Sequence, residues 1–494
     1  MQYNSLASVL LCYAGCFFVS LYSPVAAADK RAANAIADAK PFNAFKAESS
    51  LPYFVTDALE KARIPEEKVA IVVQPVGASR PLISHNADVA MNPASVIKLF
   101  PTYAGLGLLG VNYTWNTRVW SDEPPEEGRV HNIYVQGSGD PKLNLEQFWL
   151  MLRRLKINGI KNISGDLVLD RGRFVRQRQR NFDGNPLRAY NKMPDALLVS
   201  YGAQNLIFKP QEEEEDEELK ISTLTPTLLR IENNVGLSKG RCGYWKNKLK
   251  LNAMRTGQHT RLEISGKYPR ACGERILNLV ALSGNQQVGG IFRDLWKSMG
   301  GTFKGKIRSG GKPRNGHLLL NWYSPPLSEI VYDINKYSNN VMARQLFLTL
   351  GAGKRHQGSL GKGSSRLKDW LASRGLNFPE LVIENGSGLS RKARASAASV
   401  NRLLIDAWSS KVMPEFLASL PLAGVDGTMR RRLRGSSASG RARIKTGTLT
   451  GVKTMAGYAM DRNGNYVTVV FMVNHRKASA AEEAMNALLL WIAS

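Results

Sequence analysis

The stretch Asn92-Pro93-Ala94-Ser95-Val96-Ile97-Lys98-Leu99-Phe100 is the most informative part of this chain of 494 residues. A mainly apolar run follows Ser95, and this pattern predicts the start of a helix. Residues three apart share one face of a helix, so Lys98 is expected beside the Ser95 hydroxyl, near the positive end of the helix. This pairing makes Ser95 a candidate nucleophile and Lys98 a candidate base.

Two other short motifs, Ser338-Asn339-Asn340 and Lys445-Thr446-Gly447, lie further along the chain. Ser338 is predicted to belong to a long helical stretch, since 328–334 and 341–350 both show helical patterns. The second motif precedes Thr448-Leu449-Thr450-Gly451, and this pattern predicts a strand that enters a hairpin. In this order and in these contexts, the three motifs together predict a serine acyl-transfer site that needs no histidine.

Each motif alone carries little weight. The Ser-x-x-Lys pattern recurs at Ser309, Ser359 and Ser365. The first two copies contain glycine, and the third lies in a stretch rich in glycine, serine and lysine. None of them opens an apolar helical run as Ser95 does, so Ser95 is the preferred nucleophile.

The composition is that of an ordinary globular protein, with 43% hydrophobic and 22% charged residues, and the length predicts two or three domains. The net charge of +27 is large, but the basic residues are scattered rather than set on one helix or interleaved with aromatic residues. An anionic wall polymer or membrane surface is therefore favoured over nucleic acid as a partner. The acidic run 212–218 is predicted to be an exposed loop without a chemical role.

The N-terminal residues predict export. Residues 6–22 form a hydrophobic run and 25–28 are small residues suited to cleavage, so 1–28 is predicted to be a secretory signal peptide. An uncleaved N-terminal anchor is the alternative. No second stretch is long and apolar enough to span a bilayer, so a periplasmic protein is expected, soluble or held peripherally at the membrane.

Two cysteines, Cys242 and Cys272, remain after removal of the predicted signal peptide. In an oxidising compartment, this pair favours one disulfide. Two unpaired buried thiols are the alternative.

Patterns at both ends of the sequence predict one α+β catalytic domain, an antiparallel sheet flanked by helices. The predicted strands are 69–74, 81–86, 442–444, 454–460 and 466–473, and the flanking helices are 51–61 and 480–492. The gap of 243 residues between Ser95 and Ser338 is too long for a loop, so a domain must be inserted there.

This gap sets the predicted domain boundaries. The catalytic domain is predicted to comprise 29–112 and 316–494, and an inserted α/β domain 113–190 and 282–315. A mainly β subdomain, 191–281, which contains both cysteines, is predicted to be nested within the insert.

The chain resembles the type-4, low-molecular-mass class C penicillin-binding proteins over essentially all of its length after the predicted signal peptide. Five segments carry the resemblance beyond the three motifs: Pro93-Ala94-Ser95, Gly137-Ser138-Gly139-Asp140-Pro141, Asp166-Leu167-Val168-Leu169-Asp170, Asn385-Gly386-Ser387-Gly388-Leu389-Ser390-Arg391 and Ala423-Gly424-Val425-Asp426-Gly427-Thr428. The resemblance implies a β-lactamase- and transpeptidase-like catalytic domain with nested inserts.

The function implied by the resemblance is that of a serine D-alanyl-D-alanine carboxypeptidase and endopeptidase of bacterial cell-wall metabolism. The substrates would be peptidoglycan stem peptides, and β-lactam antibiotics would be covalent inhibitors. The chemistry requires neither a metal nor a cofactor, and the six histidines show no ligand spacing.

The motif residues acquire roles from this resemblance. Ser95 attacks the carbonyl between two D-alanines, and Lys98 acts as the base, with a pKa lowered by burial and by the nearby cation of Lys445. Ser338 relays a proton toward the leaving amine, and Asn340 orients Lys98 and the substrate amide.

Substrate binding is assigned to five residues: Thr446, Gly447, Thr448, Leu449 and Arg391. Thr446 and Thr448 would join Lys445 in holding the terminal carboxylate. The backbone N–H groups of Ser95 and Thr448 would form the oxyanion hole. Arg391 and Leu449 are expected near the substrate side chain.

Substrate specificity and two other functions stay open. Family members that trim peptides with a diaminopimelate side chain place an acidic residue of the insert near the active site. Here the matching region, 182–195, aligns poorly, so Asp183, Asp195 or neither could serve. A serine β-lactamase-like hydrolase is disfavoured by the long insertion, and a catalytically silent peptidoglycan-binding relative is disfavoured by the intact motifs.

Overall fold

The computed structural model describes residues 51–177, 182–211, 218–223, 228–256, 259–354 and 356–494. The predicted signal peptide and all but the last residue of the acidic run lie outside this part of the chain.

The α-helices of the described residues are, in chain order, α1 (Tyr53–Lys61), α2 (Leu99–Leu109), α3 (Leu145–Ile157), α4 (Gly284–Ser298), α5 (Leu327–Lys336), α6 (Asn340–Leu350), α7 (Leu360–Ser373), α8 (Ala397–Trp408), α9 (Met413–Ser419) and α10 (Glu482–Ala493). The β-strands are β1 (Val69–Pro75), β2 (Ile83–His85), β3 (Asn116–Ser121), β4 (Arg129–Val130), β5 (Ile133–Gln136), β6 (Asn162–Ile163), β7 (Leu167–Asp170), β8 (Gln204–Pro210), β9 (Leu219–Thr223), β10 (Leu229–Ser238), β11 (Leu249–Thr256), β12 (His259–Pro269), β13 (Arg275–Leu279), β14 (Thr302–Phe303), β15 (Ile307–Ser309), β16 (His317–Tyr323), β17 (Ala442–Leu449), β18 (Val452–Met460) and β19 (Tyr466–Asn474).

One five-stranded sheet joins the two ends of the sequence. Its order is β17-β18-β19-β1-β2, and every neighbouring pair is antiparallel. The N-terminal strand β1 pairs with the C-terminal strand β19, with Val69 opposite Val473. Strand β17, which carries Lys445, is therefore an edge strand of this sheet.

Helices cover both faces of this sheet because its side chains alternate between two buried layers. On β1, Ile71 and Val73 belong to the core that contains α1 and α10, whereas Val72 belongs to the core that contains α2, α5 and α6. Phe54 of α1 and Trp491 of α10 contact each other, with ring centroids 5.7 Å apart. The fold is α+β, as the sequence predicts.

Within the described residues, four further sheets lie between the first and second motifs in sequence. The first is a mixed five-stranded sheet of order β15-β7-β5-β3-β16, and the second is a small parallel sheet of order β14-β6-β4. Helices α3 and α4 pack on the mixed sheet through a core that includes Phe148, Ile291 and Trp296.

Two three-stranded sheets, β10-β12-β11 and β13-β8-β9, share a separate core that includes Phe208, Trp245 and Tyr268. The expected disulfide between Cys242 and Cys272 is present at this core, with the two Cα atoms 4.6 Å apart. The exact domain boundaries stay a prediction.

One local prediction is wrong, because Ser338 does not lie within a long helix. Helix α5 ends at Lys336, α6 begins at Asn340, and Ser338 has a φ of 54°. The side chain of Asn339 caps α6 by accepting hydrogen bonds from the backbone N–H groups of Val341 and Met342. An N-cap residue has non-helical backbone angles, so the chain must turn at this point.

Every helix of the described residues is too short or too polar to cross a membrane.

Candidate active site

Ser95 lies in a 3-10 turn, Ala94–Lys98, which leads directly into α2. In a 3-10 turn, residues three apart are eclipsed, so the side chain of Lys98 stands over that of Ser95. The Lys98 Nζ donates a hydrogen bond of 2.9 Å to the Ser95 Oγ. The predicted contact between the Ser95 and Lys98 side chains is therefore present, although the turn is tighter than an α-helix.

Lys98 is fully buried and makes two further hydrogen bonds. Its Nζ donates to the Asn340 Oδ1 at 2.6 Å and to the backbone carbonyl oxygen of Ser387. Burial, followed by the positive charges of Lys445 and Arg344, lowers the pKa of Lys98 well below its ordinary value. A neutral amine at this position can accept the proton of the Ser95 hydroxyl.

The chain between α5 and the start of α6 brings Asn340 to Lys98 and Ser338 to Lys445. The positive φ of Ser338 is uncommon for a residue with a Cβ, and such strained residues often cluster at active sites. The Ser338 Oγ accepts a hydrogen bond of 2.9 Å from the Lys445 Nζ. Ser338 is thereby tied to the edge strand and Asn340 to the nucleophile turn.

Lys445 is fully buried on β17, and burial lowers its pKa to about 7. Besides Ser338, its Nζ donates to the backbone carbonyl oxygen of Thr446 at 2.8 Å. Lys445 is therefore poised to change its protonation near neutral pH, and an anion beside it would favour the charged form.

Gly447 lets β17 approach the nucleophile turn closely. A Cβ at this position would stand 2.8 Å from the backbone nitrogen of Ser95 and 2.3 Å from the Thr454 Oγ1. The Thr454 hydroxyl in turn donates to the carbonyl oxygen of Pro93 at 2.9 Å, which fixes β18 to the same turn. The approach brings the Ser95 backbone N–H to the edge strand, where the oxyanion hole is expected.

The remaining predicted binding residues line the rim of this site. The Thr446 Oγ1 donates to the Thr428 Oγ1 at 2.8 Å, and Thr448 is exposed. Leu449 is half-buried, and Arg391 donates to the carbonyl oxygen of Thr450 at 2.8 Å.

The two candidate acidic residues of the insert already have partners. Burial raises the pKa of Asp183, but hydrogen bonds from Tyr190, Asn191 and neighbouring groups outweigh this effect and lower the pKa to about 2. Asp195 forms an ion pair with Arg171, at 3.1 Å from the Arg171 Nε. Asp183 belongs to the same loop as Phe182, and the Phe182 ring lies 4.9 Å from the Arg391 guanidinium. The loop therefore approaches the rim.

Three contact residues of the site were not assigned a role from the sequence. Ser387 contributes a backbone carbonyl, which any residue type could supply, so only its place in a family segment could have indicated it. Thr428 lies in another such segment. Arg344 follows Asn340 by one helical turn, and this spacing was the available signal.

Among the described residues, no group of three or more histidine, cysteine, aspartate or glutamate side chains is arranged to hold a metal ion.

A serine hydroxyl in hydrogen-bond contact with a buried lysine of lowered pKa, beside the edge strand of an antiparallel sheet packed between helices, is the arrangement expected of a serine-type hydrolase. The sequence profile of the D-Ala-D-Ala carboxypeptidase 3 (S13) family matches residues 53–494, and the chain belongs to this family.

Individual relatives agree with this assignment. A D-alanyl-D-alanine carboxypeptidase of Actinomadura sp. is 29% identical over 416 residues, which are 80% of this chain and 75% of that protein. The D-alanyl-D-alanine carboxypeptidase DacB of Haemophilus influenzae is 25% identical over 439 residues, which are 86% of this chain and 90% of that protein.

The crystal structure of penicillin binding protein 4 from Haemophilus influenzae has the same fold. It matches with a TM-score of 0.73 at 24% sequence identity and covers 88% of this chain and 99% of that one.

Proposed function

We propose that the chain is a serine D-alanyl-D-alanine carboxypeptidase that also cleaves the peptide cross-links of peptidoglycan, with Ser95 as its nucleophile. Family membership supports the enzyme class. The observation that carries the assignment of the nucleophile is the 2.9 Å contact between the Ser95 Oγ and the amine of Lys98, a fully buried lysine beside two other cations.

Acylation begins when the Ser95 Oγ attacks the carbonyl carbon between the two terminal D-alanines and Lys98 takes the hydroxyl proton. The backbone N–H groups of Ser95 and Thr448 stabilise the oxyanion, and one such donor contributes roughly 3–4 kcal/mol. The proton that Lys98 took is then relayed through the Ser338 hydroxyl to the leaving nitrogen, so the C–N bond breaks, D-alanine departs and Lys98 is again neutral. Water attacks the resulting ester, with Lys98 again as the base, and releases the shortened peptide.

The substrate is held at both of its ends. Lys445, Thr446 and Thr448 bind the terminal carboxylate, which also favours the charged form of Lys445. Arg391 and Leu449 face the side chain of the stem peptide, next to the loop that contains Asp183. A cross-link is cut in the same way, with the amine of a neighbouring peptide as the leaving group.

The test is to incubate the protein with a fluorescent penicillin and to locate the adduct by mass spectrometry. The adduct is expected on Ser95 alone, and a Ser95→Ala variant should remain unlabelled. A penicillin binding protein 4 of Haemophilus influenzae has been crystallised with a β-lactam, which supports the choice of probe. An adduct on Ser309, Ser359 or Ser365 would contradict the assignment.

Three outcomes separate the alternatives. Release of D-alanine from a peptide that ends in D-Ala-D-Ala, together with a long-lived penicillin ester, is expected of a carboxypeptidase. Fast hydrolysis of that ester would favour a β-lactamase-like enzyme. A protein that binds peptidoglycan but is never acylated would be the catalytically silent relative.

The cationic surface supports a location at the cell wall. Arg430, Arg431 and Arg434 are exposed, lie between Thr428 and β17, and have no acidic partner among the described residues. We expect the exported protein to contact an anionic wall polymer or membrane surface through this segment. Sedimentation with purified cell walls should weaken as salt is raised, and more so than in a variant with all three arginines changed to glutamine.

A further inference from the structure

Arg344 is a buried arginine beside the catalytic lysine. It lies on α6, one turn after Asn340, and only 5% of its surface is exposed. Its Nε donates to the Ser387 Oγ at 3.3 Å and its Nη1 donates to the carbonyl oxygen of Lys192 at 3.1 Å. Both acceptors are neutral, and no carboxylate of the described residues pairs with this guanidinium. Burial of an uncompensated charge is costly, so the arrangement calls for an explanation.

Ser387 connects Arg344 with Lys98. The Ser387 carbonyl oxygen accepts a hydrogen bond from the Lys98 Nζ, while its hydroxyl oxygen accepts one from Arg344. Asn340, on the same face of α6 as Arg344, accepts a second hydrogen bond from Lys98. Arg344 thus supports one of the groups that hold the Lys98 amine in place.

The charges around Lys98 have one sign. Within the described residues, the charged groups that act on it are Lys445 from β17 and Arg344 from α6, and both are cations. A proton on Lys98 would therefore add a third positive charge to a buried site. The two cations have different proposed roles: Lys445 binds the substrate carboxylate, and Arg344 does not.

We propose that Arg344 is a positioning residue that keeps Lys98 neutral while substrate is bound. The proposal rests on the role of Lys98 as the base. When a carboxylate binds at Lys445, its negative charge cancels much of the field that Lys445 exerts on Lys98. The field of Arg344 persists, because its guanidinium is buried behind Ser387. Without Arg344, the occupied site would favour a protonated Lys98, which cannot accept the proton of Ser95.

The test is the pH dependence of acylation by penicillin, measured at saturating and at low penicillin concentrations. The pH dependence at saturating penicillin reports the pKa values of groups in the complex, and the pH dependence at low penicillin reports those of the free protein. In Arg344→Met, the acid limb of the acylation rate should move to higher pH by about one unit, and further in the complex than in the free protein. At pH values on the acid side of the midpoint, the variant should be acylated about tenfold more slowly than the wild type, because a shift of one pH unit lowers the fraction of neutral Lys98 about tenfold.

Three other variants make the result specific. Arg344→Lys keeps a charge and should retain the wild-type midpoint. Arg344→Gln keeps hydrogen-bond donors without charge and should shift as Arg344→Met does, so the test does not depend on the folding of one variant. Arg432→Met removes a largely buried arginine that pairs with Glu482 and does not act on Lys98, and it should leave the midpoint unchanged.

An unmoved acid limb in the complex of either neutral variant would overturn the proposal. A uniform fall in rate at every pH would overturn it too, because a purely structural role lowers the rate without moving the midpoint. A wild-type protein that penicillin does not acylate at Ser95 would instead refute the proposed function. The two failures are therefore distinguishable.

Discussion

Lys445 is a fully buried lysine, and burial disfavours its charged form. Its pKa is therefore about 7 in the folded protein, against 10.5 in an ordinary lysine. Between these values the unfolded chain binds a proton that the folded protein does not, so this residue makes stability rise with pH from 7 to 10.5. Below pH 7 both states are protonated and the full penalty remains.

A Lys445→Met variant should be more stable than the wild type at pH 7, by about 1–3 kcal/mol after the loss of two hydrogen bonds is allowed for. Its advantage should shrink as the pH rises toward 10.5. Acylation should fall by orders of magnitude in the same variant. Urea unfolding at a series of pH values measures the first effect, and a stability difference that stays constant with pH would show that Lys445 is not buried as a neutral amine.

The residues of the site differ in how far a sequence can predict them. The contact between Ser95 and Lys98 follows from a spacing of three residues, which local geometry fixes. The contact between Lys98 and Ser387 spans 289 residues, and only the folded chain brings the two together. Arg344 could be placed on the face of Asn340, but its lack of a carboxylate partner is a property of the tertiary structure.

At the scale of elements, the site depends on how closely the edge strand β17 packs against the 3-10 turn that carries Ser95. Gly447 sets this distance, because a Cβ there would overlap the Thr454 hydroxyl and press on the Ser95 nitrogen. These neighbouring atoms belong to β18 and to the 3-10 turn that carries Ser95, here called the catalytic turn. Neither element can shift without displacing the groups of the proposed site.

A Gly447→Ala variant should therefore lose acylation by about a hundredfold, since a displacement near 1 Å is enough to misalign reacting groups. The protein should remain folded, at a cost of about 1–3 kcal/mol. Gly236→Ala is the matched control, because Gly236 also lies in a strand and a Cβ there meets no atom within 4 Å. Rates of penicillin acylation and melting temperatures would test both, and equal rates in the two variants would contradict this account of the approach.

The elements themselves were largely predictable, with one instructive exception. Mostly apolar runs identified β1, β18 and β19 to within about two residues, because these strands are buried on both faces. The turn at Ser338 was not predicted, since α5 and α6 both have helical patterns and serine gives no signal for a positive φ. The cap at Asn339 was the available clue.

At the scale of the whole molecule, the described parts of the chain divide into separate cores. The proposed catalytic groups lie on or beside the five-stranded sheet and its helices, while the disulfide belongs to the core of the sheets β10-β12-β11 and β13-β8-β9. The length of the gap between motifs predicted an insertion, because no loop could fill it. Pairings such as β10 with β12, which run parallel, depend on contacts that periodicity does not encode.

Because the cores are separate, we predict that the disulfide stabilises the sheets β10-β12-β11 and β13-β8-β9, here called the nested sheets, and that its loss does not affect catalysis. Cys242 and Cys272 close a loop of 30 residues around a core with Trp245, so the bridge should contribute roughly 3–4 kcal/mol in a chain-entropy estimate. A Cys242→Ser, Cys272→Ser double variant should become more sensitive to protease within 204–279. Its rate of acylation by penicillin should stay close to that of the wild type.

Two measurements on the unaltered protein complete this test. Thiol labelling without reductant should find neither cysteine free, and labelling after reduction should find both. Acylation that falls in proportion to the reduced fraction would contradict the separation of the two cores, because it would mean that the nested sheets hold the catalytic turn in place. Unchanged acylation with increased proteolysis is the outcome we expect, since the charges and hydrogen bonds around Lys98 come from α6, β17 and Ser387.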